Sequence, residues 1–274
     1  MAPQILSKRH AHVLAQFAAS DVLVALDYDG TLAPIVSTPR RARMRPRTRQ
    51  LLAAVAKHYP CVVISGRTRD DVTARVSSAP VWHVAGNHGL EPWGEQATYA
   101  ARVRDWVRTL RHRLAALHGV TIEDKTYSLT IHFRRAKQKD RTKRAVASAV
   151  RTLRGARVIG GIEAFNLVPR GAPHKGEALE RARRLLACDK AIYVGDDETD
   201  EDAFAAARSD RLLSVRIGNV RRSRASYRLK DQRQIDRFLR TLLVLRDAGG
   251  AAASASRARP RGLGRGRGRA GAVP

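Results

Sequence analysis

Two carboxylates directly after an apolar run are the first sign of chemistry in this chain. Asp27 and Asp29 follow Leu23–Leu26, a run without alternation that predicts a strand buried on both faces of a parallel sheet. Residues two apart project to the same side of an extended chain, so the two carboxylates should repel each other. A hard cation such as Mg²⁺ between them, or a nucleophile beside a proton donor, would relieve that repulsion. The ordinary alternative is an Asp-rich turn, which the same pattern also fits.

A second apolar run also ends in acidic residues. Ala191–Val194 is followed by Gly-Asp-Asp-Glu-Thr-Asp-Glu-Asp at 195–202, in a chain that is otherwise basic. The acidic start of a helix explains the last two of these residues. It does not explain Asp196 and Asp197, which precede the helix and would repel each other without a divalent cation. This cluster therefore also predicts a cation site at the carboxyl end of a strand.

Two weaker signals lie at the ends of other predicted elements. Ser65 follows the predicted strand Cys61–Ile64, where its hydroxyl and the next backbone amides can donate hydrogen bonds to an anion. Lys175 begins a predicted helix, where a cation is disfavoured unless a bound anion offsets it. Taken singly, an ordinary turn and a solvated lysine explain these residues equally well.

The order of the predicted elements indicates the fold. Strands and helices alternate in the first and last parts of the chain, which is typical of an α/β fold with a parallel sheet. Between these parts the pattern changes to helix, hairpin, helix and hairpin, so we expect an inserted α+β unit. A proline-punctuated loop at 28–46 should form a small flap over the site. The expected division is 1–100 and 173–247 for the core, 101–172 for the inserted domain and 248–274 for a disordered Arg/Gly/Ala-rich tail.

The net charge of +27, from 52 Lys+Arg against 25 Asp+Glu, is the unusual feature of the composition. It favours anionic partners, which include nucleic acid, anionic lipid and a phosphorylated substrate. The charge is concentrated at Arg40–Arg49 and in the tail, and a solvated basic surface is the plainer interpretation of each. The two cysteines, Cys61 and Cys188, cannot form a disulfide framework and suit a reducing cytoplasm. No apolar run approaches the ~18 residues of a membrane span, so no membrane partner is expected.

Four short motifs follow the order found in phosphatases of the haloacid dehalogenase (HAD) superfamily, which the chain resembles: Asp27–Thr31, Ser65–Arg67, Lys175–Gly176 and Gly195–Asp197. Five segments resemble, more narrowly, the trehalose-6-phosphate phosphatase family: Asp27–Ile35, Gly86–Glu91, Glu123–Lys125, His132–Arg134 and Gly195–Asp202. The resemblance extends from about residue 22 to 245. It implies an α/β fold, with a Rossmann-like parallel-sheet HAD core and an inserted α+β cap domain.

The resemblance also implies a mechanism. Asp27 would attack phosphorus and form an aspartyl-phosphate, and Asp29 would protonate the leaving sugar oxygen and then accept a proton from water. Ser65 and Lys175 would hold the phosphoryl oxygens. The residues implied to bind Mg²⁺ are Asp27, Asp196, Asp200 and, through its backbone carbonyl, Asp29. The residues implied to contact the sugar phosphate are Arg67, Asn87, His88, Glu123 and Lys125.

The expected function is therefore Mg²⁺-dependent hydrolysis of trehalose 6-phosphate to trehalose and phosphate in the cytoplasm. A trehalose-6-phosphate synthase is an expected protein partner, and the Arg-rich tail is expected to bind polyanions weakly. The family's pattern is absent at Gly160–Gly161 and Asn166–Pro169, which weakens the carry-over of substrate contacts there.

Two alternatives remain open. The first is a related HAD phosphatase that acts on sucrose phosphate or another sugar phosphate, although the cap motifs argue against it. The second is a polyanion-binding protein on an inactive HAD core. The Arg-Gly repeats near the C-terminus support that alternative, but every catalytic carboxylate is present, which argues for an active enzyme.

Overall fold

The computed structural model describes residues 1–93, 96–161 and 163–257 of the chain. The strands in these ranges are, in chain order, β1 (Val22–Leu26), β2 (Cys61–Ile64), β3 (His83–Ala85), β4 (Thr121–Asp124), β5 (Leu129–His132), β6 (Ala156–Gly161), β7 (Ala164–Pro169), β8 (Lys190–Gly195), β9 (Leu212–Ile217) and β10 (Tyr227–Leu229). The α-helices in the same ranges are α1 (Ala11–Ala19), α2 (Pro46–His58), α3 (Arg69–Val76), α4 (Gln96–Arg113), α5 (Lys139–Arg151), α6 (Lys175–Leu185), α7 (Glu201–Phe204) and α8 (Ile235–Arg257).

Six strands form one parallel sheet, in the order β10–β9–β8–β1–β2–β3. The chain extends this sheet from β1 towards β3 and later from β8 towards β10, so β1 and β8 are neighbours where the direction reverses. Open α/β sheets bind ligands at the carboxyl ends of their strands at such a reversal. The register pairs Leu26 with Val194, so the residues that follow these two positions emerge side by side.

The central strand β1 is apolar throughout because helices cover both of its faces. Val22, Val24 and Leu26 pack into one core, which α1, α2 and α8 share. Leu23 and Ala25 pack into a second core, which α6 and α7 share. A strand covered on both faces has no polar side. The expected α/β fold with a Rossmann-like parallel sheet is confirmed.

The other sheet is antiparallel, in the order β4–β5–β7–β6, and it lies in the segment between β3 and α6. Helices α4 and α5 cover one face of it through an apolar cluster that includes Trp106, Leu110 and Val146. Because side chains alternate along a strand, the polar residues of this sheet lie on the opposite face. We call it the polar face, and its members are Glu123, Thr130, His132 and Asn166.

The two ends of this inserted segment lie close together on the core. The Tyr99 hydroxyl, near the start of α4, donates a hydrogen bond to the Gly171 carbonyl oxygen at 3.0 Å. A Cβ atom at Gly89, just before the segment, would stand 2.7 Å from the carbonyl oxygen of His174, which precedes α6. Helix α4 begins at Gln96 and crosses the boundary expected at 100/101. We therefore propose that the inserted unit begins with α4.

The N-terminal segment differs from its sequence-based prediction. The apolar pattern predicts a helix over residues 3–19, whereas α1 begins at Ala11. Gln4 instead forms a bridge with Arg228 of β10, which accepts a backbone hydrogen bond from Ile5 and donates one to Pro3, and Lys8–His10 form a 3-10 helix before α1. Burial of the Ile5 side chain adds to this attachment.

The C-terminal segment also differs. The sequence predicts disorder from Ala248, but α8 continues to Arg257. The alanines at 251–253 have the highest helix propensity of any residue, which favours that extension. Residues 258–274, the rest of the expected tail, lie outside the described residues. Among the helices that the structure describes, none has the length and apolar content needed to cross a bilayer.

Candidate active site

Asp27 and Asp196 are brought together by the pairing of β1 with β8. The Asp27 amide donates a hydrogen bond to the Val194 carbonyl oxygen at 2.9 Å, which extends the ladder by one residue. Gly30 turns the chain away with a φ of 80°, and a Cβ atom there would stand 2.0 Å from the Asp196 carboxylate. Glycine is therefore required at this position both for its backbone conformation and for space.

Lys175, the first residue of α6, lies between two carboxylates. Its Nζ is 2.9 Å from Asp27 Oδ1 and 2.7 Å from Asp200 Oδ1, and its side chain is only 2% exposed. Burial opposes the charge of this lysine, but the adjacent carboxylates of Asp200 and Asp27 together raise its pKa well above the ordinary value. Burial also raises the pKa of Asp27, and the nearby Asp200 and Asp196 add to that effect. The ammonium therefore stays charged beside the candidate nucleophile.

Asp200 organises the acidic loop and is fully buried. Its Oδ1 accepts hydrogen bonds from Lys175 and from the Tyr193 hydroxyl at 2.7 Å. Its Oδ2 accepts hydrogen bonds from the backbone amides of Asp196 and Asp197 at 2.8 and 2.9 Å. Both oxygens of Asp200 are thus engaged within the chain, and they fix the backbone from which Asp196 projects.

Arg216, near the end of β9, holds the backbone of the same acidic loop. Its guanidinium donates to the backbone carbonyl oxygens of Asp197 at 3.0 Å and of Asp196 at 2.7 Å. The sequence analysis did not identify this arginine. Its position at a strand end is the signal that could have found it, because the other candidate residues lie at neighbouring strand ends.

The acidic cluster fits a hard divalent cation. Asp27, Asp196 and Asp200 each offer a carboxylate oxygen, and these oxygens lie within 4.8 Å of one another. Asp196 Oδ1 is buried and has no hydrogen-bond partner within the described part of the chain. Burial and the neighbouring Asp200 raise the pKa of Asp196, which shows how unfavourable its charge is without compensation. Oxygen ligands of this kind are those that Mg²⁺ prefers.

Asp29 lies outside this cluster, and its carboxylate pairs with Arg67. The Arg67 guanidinium binds both oxygens of Asp29, from Nε at 2.6 Å and from Nη2 at 2.8 Å. Its Nη1 binds Asp71 at 2.7 Å. The Asp27 side chain therefore contacts Lys175, whereas the Asp29 side chain contacts Arg67. The spacing of the two residues had instead suggested one cation between their carboxylates. Arg67, implied to contact substrate, here orients Asp29.

Ser65 and the start of α3 lie next to Arg67, the residue that pairs with Asp29. The Ser65 side chain is buried, and its Oγ accepts a hydrogen bond from the Arg67 amide at 3.2 Å. The next residue, Thr68, caps α3 by accepting a hydrogen bond from the Asp71 amide. The parallel pairing of β2 with β1 places the β2–α3 turn, with its serine hydroxyl, next to the strand end that carries Asp27.

Asn87 and Lys125 join the inserted unit to the core. Lys125 Nζ donates to the Gly66 carbonyl oxygen at 3.0 Å. Asn87 accepts a hydrogen bond from the Ser128 hydroxyl at 2.5 Å and donates one to the Lys125 carbonyl oxygen at 3.2 Å. Burial lowers the pKa of Lys125. The turn between β4 and β5 is therefore held against the turn after β2.

His88 is buried beside this contact, and neither ring nitrogen has a hydrogen-bond partner among the described residues. Its ring lies against Gly66, where a Cβ atom would stand 2.4 Å from Cε1. Burial and the charges of Lys125 and Lys175 lower its pKa well below the ordinary value, which favours the neutral imidazole. A neutral ring can both donate and accept a hydrogen bond.

Glu123 stands apart from the other candidates, on the polar face. Its Oε2 is 2.8 Å from His132 Nε2, and its side chain is 48% exposed. The hydrogen bond to His132 lowers the pKa of Glu123 to about 2, although burial opposes this, and Lys125 contributes further. The structure therefore divides the predicted residues into an acidic cluster, the Asp29–Arg67 pair, the Asn87–Lys125 contact and this half-exposed dyad.

The parallel sheet and the acidic cluster at its reversal define the class of protein, which is a HAD-type phosphatase, that is, a phosphoric monoester hydrolase. A family model described as trehalose-phosphatase matches residues 25–233 of the chain. Because that match covers most of the chain, the protein belongs to the trehalose-phosphatase family. The family assigned from the sequence motifs is confirmed.

Individual relatives agree with this assignment. The chain is 30% identical over 272 residues to trehalose 6-phosphate phosphatase RA3 of Zea mays, covering 86% of this chain and 75% of that protein. It is 28% identical over 270 residues to probable trehalose-phosphate phosphatase G of Arabidopsis thaliana, covering 85% and 71%. Its fold matches the C-terminal domain of C. albicans trehalose-6-phosphate phosphatase with a TM-score of 0.73 at 21% identity, covering 90% of this chain and 99% of that one.

Proposed function

We propose that this phosphatase hydrolyses trehalose 6-phosphate to trehalose and phosphate, depends on Mg²⁺, and forms an aspartyl-phosphate on Asp27. The observation that supports the proposal is the buried cluster of Asp27, Lys175 and Asp200. Beside it lies Asp196 Oδ1, which has no hydrogen-bond partner among the described residues. Asp27, Asp196 and the backbone carbonyl of Asp29 would hold the ion, and Asp200, whose oxygens are engaged within the chain, would order the water around it. Bound Mg²⁺ would offset the negative charge where a phosphoryl group meets these carboxylates.

In the first step an Asp27 carboxylate oxygen forms a bond to phosphorus, and the bond from phosphorus to the sugar oxygen breaks. Asp29, in its protonated form, gives its proton to that leaving oxygen, so trehalose departs as an alcohol. Lys175 already contacts Asp27 at 2.9 Å, and its ammonium can turn to a phosphoryl oxygen as charge develops there. The buried Ser65 hydroxyl can donate to a second phosphoryl oxygen.

In the second step a water oxygen forms a bond to phosphorus and the bond to Asp27 breaks. Asp29 takes a proton from that water, so the carboxylic acid is restored for the next turnover. Phosphate leaves, and Asp27 returns as a carboxylate. The Arg67 guanidinium contacts both Asp29 oxygens, so it orients the carboxylate form that takes the proton in this second step.

The inserted unit supplies the sugar contacts in this proposal. Asn87, His88 and Lys125 lie where the β4–β5 turn meets the core, and Glu123 faces outwards from the same unit. Together with Arg67 they would read sugar hydroxyls and phosphate. We propose that the unit acts as a cap that closes over the sugar and excludes water.

Phosphate release from trehalose 6-phosphate, measured with Mg²⁺ and with a chelator, tests the proposal. We expect turnover only with the metal, and we expect Asp27→Asn to lose about 10⁴-fold or more in kcat while melting like the wild-type protein. An amide is not a nucleophile at phosphorus and binds a hard cation poorly. Undiminished turnover by a folded Asp27→Asn protein would exclude Asp27 as the nucleophile.

A phosphatase for another sugar phosphate remains the second candidate, because the cap strands carry local differences. Asn166 stands in β7, where its Oδ1 accepts a hydrogen bond from the Thr130 hydroxyl at 2.8 Å, and Gly160 and Gly161 carry no side chain that could contact a sugar. A substrate panel containing trehalose 6-phosphate, sucrose 6-phosphate and glucose 6-phosphate distinguishes the two. The highest kcat/KM identifies the substrate.

We propose a cytoplasmic setting for the enzyme, with association to a trehalose-6-phosphate synthase and weak polyanion binding by the Arg-rich tail. The tail residues 258–274 lie outside the described residues, so the support for polyanion binding is their composition alone. Retention on a heparin column with and without these residues tests it, since the tail should raise the salt needed for elution.

A further inference from the structure

Three arginines, one in the β2–α3 turn, one in α3 and one just after β5, donate to backbone carbonyl oxygens of residues 34–45. This segment lies within the loop predicted at 28–46, and we call it the flap. The flap contains a short 3-10 turn at Pro39–Arg41 and otherwise lacks regular structure. The hydrogen bonds are Arg67 Nη2 to Pro39 O at 2.7 Å, Arg75 Nη1 to Ala42 O at 2.5 Å, and Arg134 Nη1 to Val36 O and Ser37 O at 3.1 Å each. These bonds add to the burial of Ala42 and Met44 in the core, and the Arg134 bonds hold the other end of the flap, at Val36 and Ser37.

Each of the three arginines also pairs with a carboxylate, and Arg75 pairs with Asp71 at 2.9 Å. Arg67 is the residue that binds both oxygens of Asp29. Arg134 belongs to the inserted unit, just after β5, and its Nε lies 3.4 Å from Glu163 of the same unit. The flap thus connects a residue of the inserted unit to the guanidinium that orients Asp29.

We propose that Arg134 is a positioning residue for proton transfer by Asp29. Arg134 seats the flap, the Pro39 carbonyl of the flap fixes Arg67, and Arg67 fixes the Asp29 carboxylate. The inference rests on the proton-transfer role of Asp29 given in the proposed function. It means that Asp29 is best oriented only while the inserted unit is seated against the flap.

The geometry of Arg67 explains why a contact with the flap reaches Asp29. A guanidinium is rigid and planar, so holding it at one edge fixes the direction of its other donors. Arg67 Nη2 is shared between Pro39 O and Asp29 Oδ1, and the side chain is only 11% exposed. Loss of the flap contact leaves the bonds to Asp29 and Asp71 in place, so the fold persists while the orientation loosens.

A comparison of two substrates tests the proposal with Arg134→Gln. The sugar alkoxide of trehalose 6-phosphate needs a proton to leave, whereas the nitrophenolate of p-nitrophenyl phosphate leaves without one. We expect kcat to fall roughly 10-fold or more for the sugar phosphate and less than about threefold for the aryl phosphate. Arg134→Lys, which keeps a donor, should recover most of the loss. Equal losses on both substrates would overturn the proposal.

Lys139→Gln is the matched control. Lys139 also pairs with Glu163, and its side chain is half exposed, but the structure gives it no hydrogen bond to the flap. We expect it to leave kcat for both substrates unchanged. A sugar-phosphate loss equal to that of Arg134→Gln would assign the effect to the Glu163 pairing and overturn the role of the flap contact.

A double-mutant cycle separates this inference from the proposed function. If Arg134 acts through Asp29, then Arg134→Gln should cause no further loss of trehalose 6-phosphate turnover in an Asp29→Asn background. Losses that multiply, with Asp29→Asn itself slow, would overturn the inference and leave the proposed function standing. An Asp29→Asn protein as fast as wild type would contradict the proposed role of Asp29, and the inference with it.

Discussion

The acidic cluster of the parallel sheet and the polar face of the antiparallel sheet are held in very different ways. Asp200 is fully buried and accepts four hydrogen bonds from its own chain. Glu123 is about half exposed and has one close partner, His132. The acidic cluster is fixed by strand register and burial, whereas the Glu123–His132 pair of the polar face is partly exposed.

This difference separates two kinds of consequence. Removal of the Lys175 ammonium from the acidic cluster takes away the charge on which the buried carboxylates depend, so it should affect folding and chemistry together. A change on the polar face removes a half-exposed group whose loss costs the fold little. We therefore expect catalysis to be sensitive to the first region for every substrate, and the second region to affect only substrates that reach it.

Lys175→Met should have the largest effect, because it removes the ammonium that the buried carboxylates share. Removing the ammonium leaves Asp27 and Asp200 buried without their shared partner, which should lower the free energy of unfolding by about 3–5 kcal/mol. The control is Arg108→Ala, which removes a surface pair with side chains 81% and 68% exposed and should hardly change stability. Urea unfolding in the presence of a chelator measures both. Equal stability of the two variants would show that the cluster is solvated.

Glu123→Ala tests whether the polar face affects only substrates that reach it. The carboxylate can accept hydrogen bonds from sugar hydroxyls, so its loss should lower kcat/KM for trehalose 6-phosphate by roughly 2–4 kcal/mol. The same variant should turn over p-nitrophenyl phosphate almost normally, because that substrate does not reach the polar face. The ratio of the two effects is the measurement, and equal losses would mean that Glu123 supports the fold or the acidic cluster instead.

Arg216→Gln tests whether the backbone of the acidic loop must be held in place for Mg²⁺ to bind. The guanidinium holds the carbonyl oxygens of Asp196 and Asp197, so its removal should weaken Mg²⁺ binding 10- to 100-fold while leaving the carboxylates present. The matched control is Arg224→Gln, which removes an exposed charge nearby. Calorimetric titration with Mg²⁺ gives the affinities directly. Two variants with the same affinity would show that Arg216 acts only as one more positive charge.

The residues at the carboxyl ends of the parallel strands are the part of the site that could be predicted from the sequence. Apolar runs mark buried strands, and the carboxyl ends of parallel strands meet at one edge, so Asp27, Ser65 and Asp196 were expected near one another. The structure brings these three strand ends together. Local pattern and sheet geometry are sufficient for that part of the prediction.

Contacts between distant side chains have no such local signal. The pairing of Arg67 with Asp29, and the support that Arg216 gives to the acidic loop, depend on how long side chains turn after the backbone is folded. A chain with 52 Lys+Arg offers many arginines to each carboxylate, and the sequence does not distinguish among them.

The proximity of Tyr99 to Gly171, and of Gly89 to His174, also bears on how such enzymes diversify. A segment whose two ends meet on the surface of its host can be lengthened, shortened or exchanged while the host keeps its topology. If the inserted unit reads the sugar as proposed, recombination at these two crossing points would pair a new sugar-binding unit with an unchanged parallel-sheet core. The range of substrates and the rate of chemistry can then be inherited separately, although they are encoded in one continuous chain.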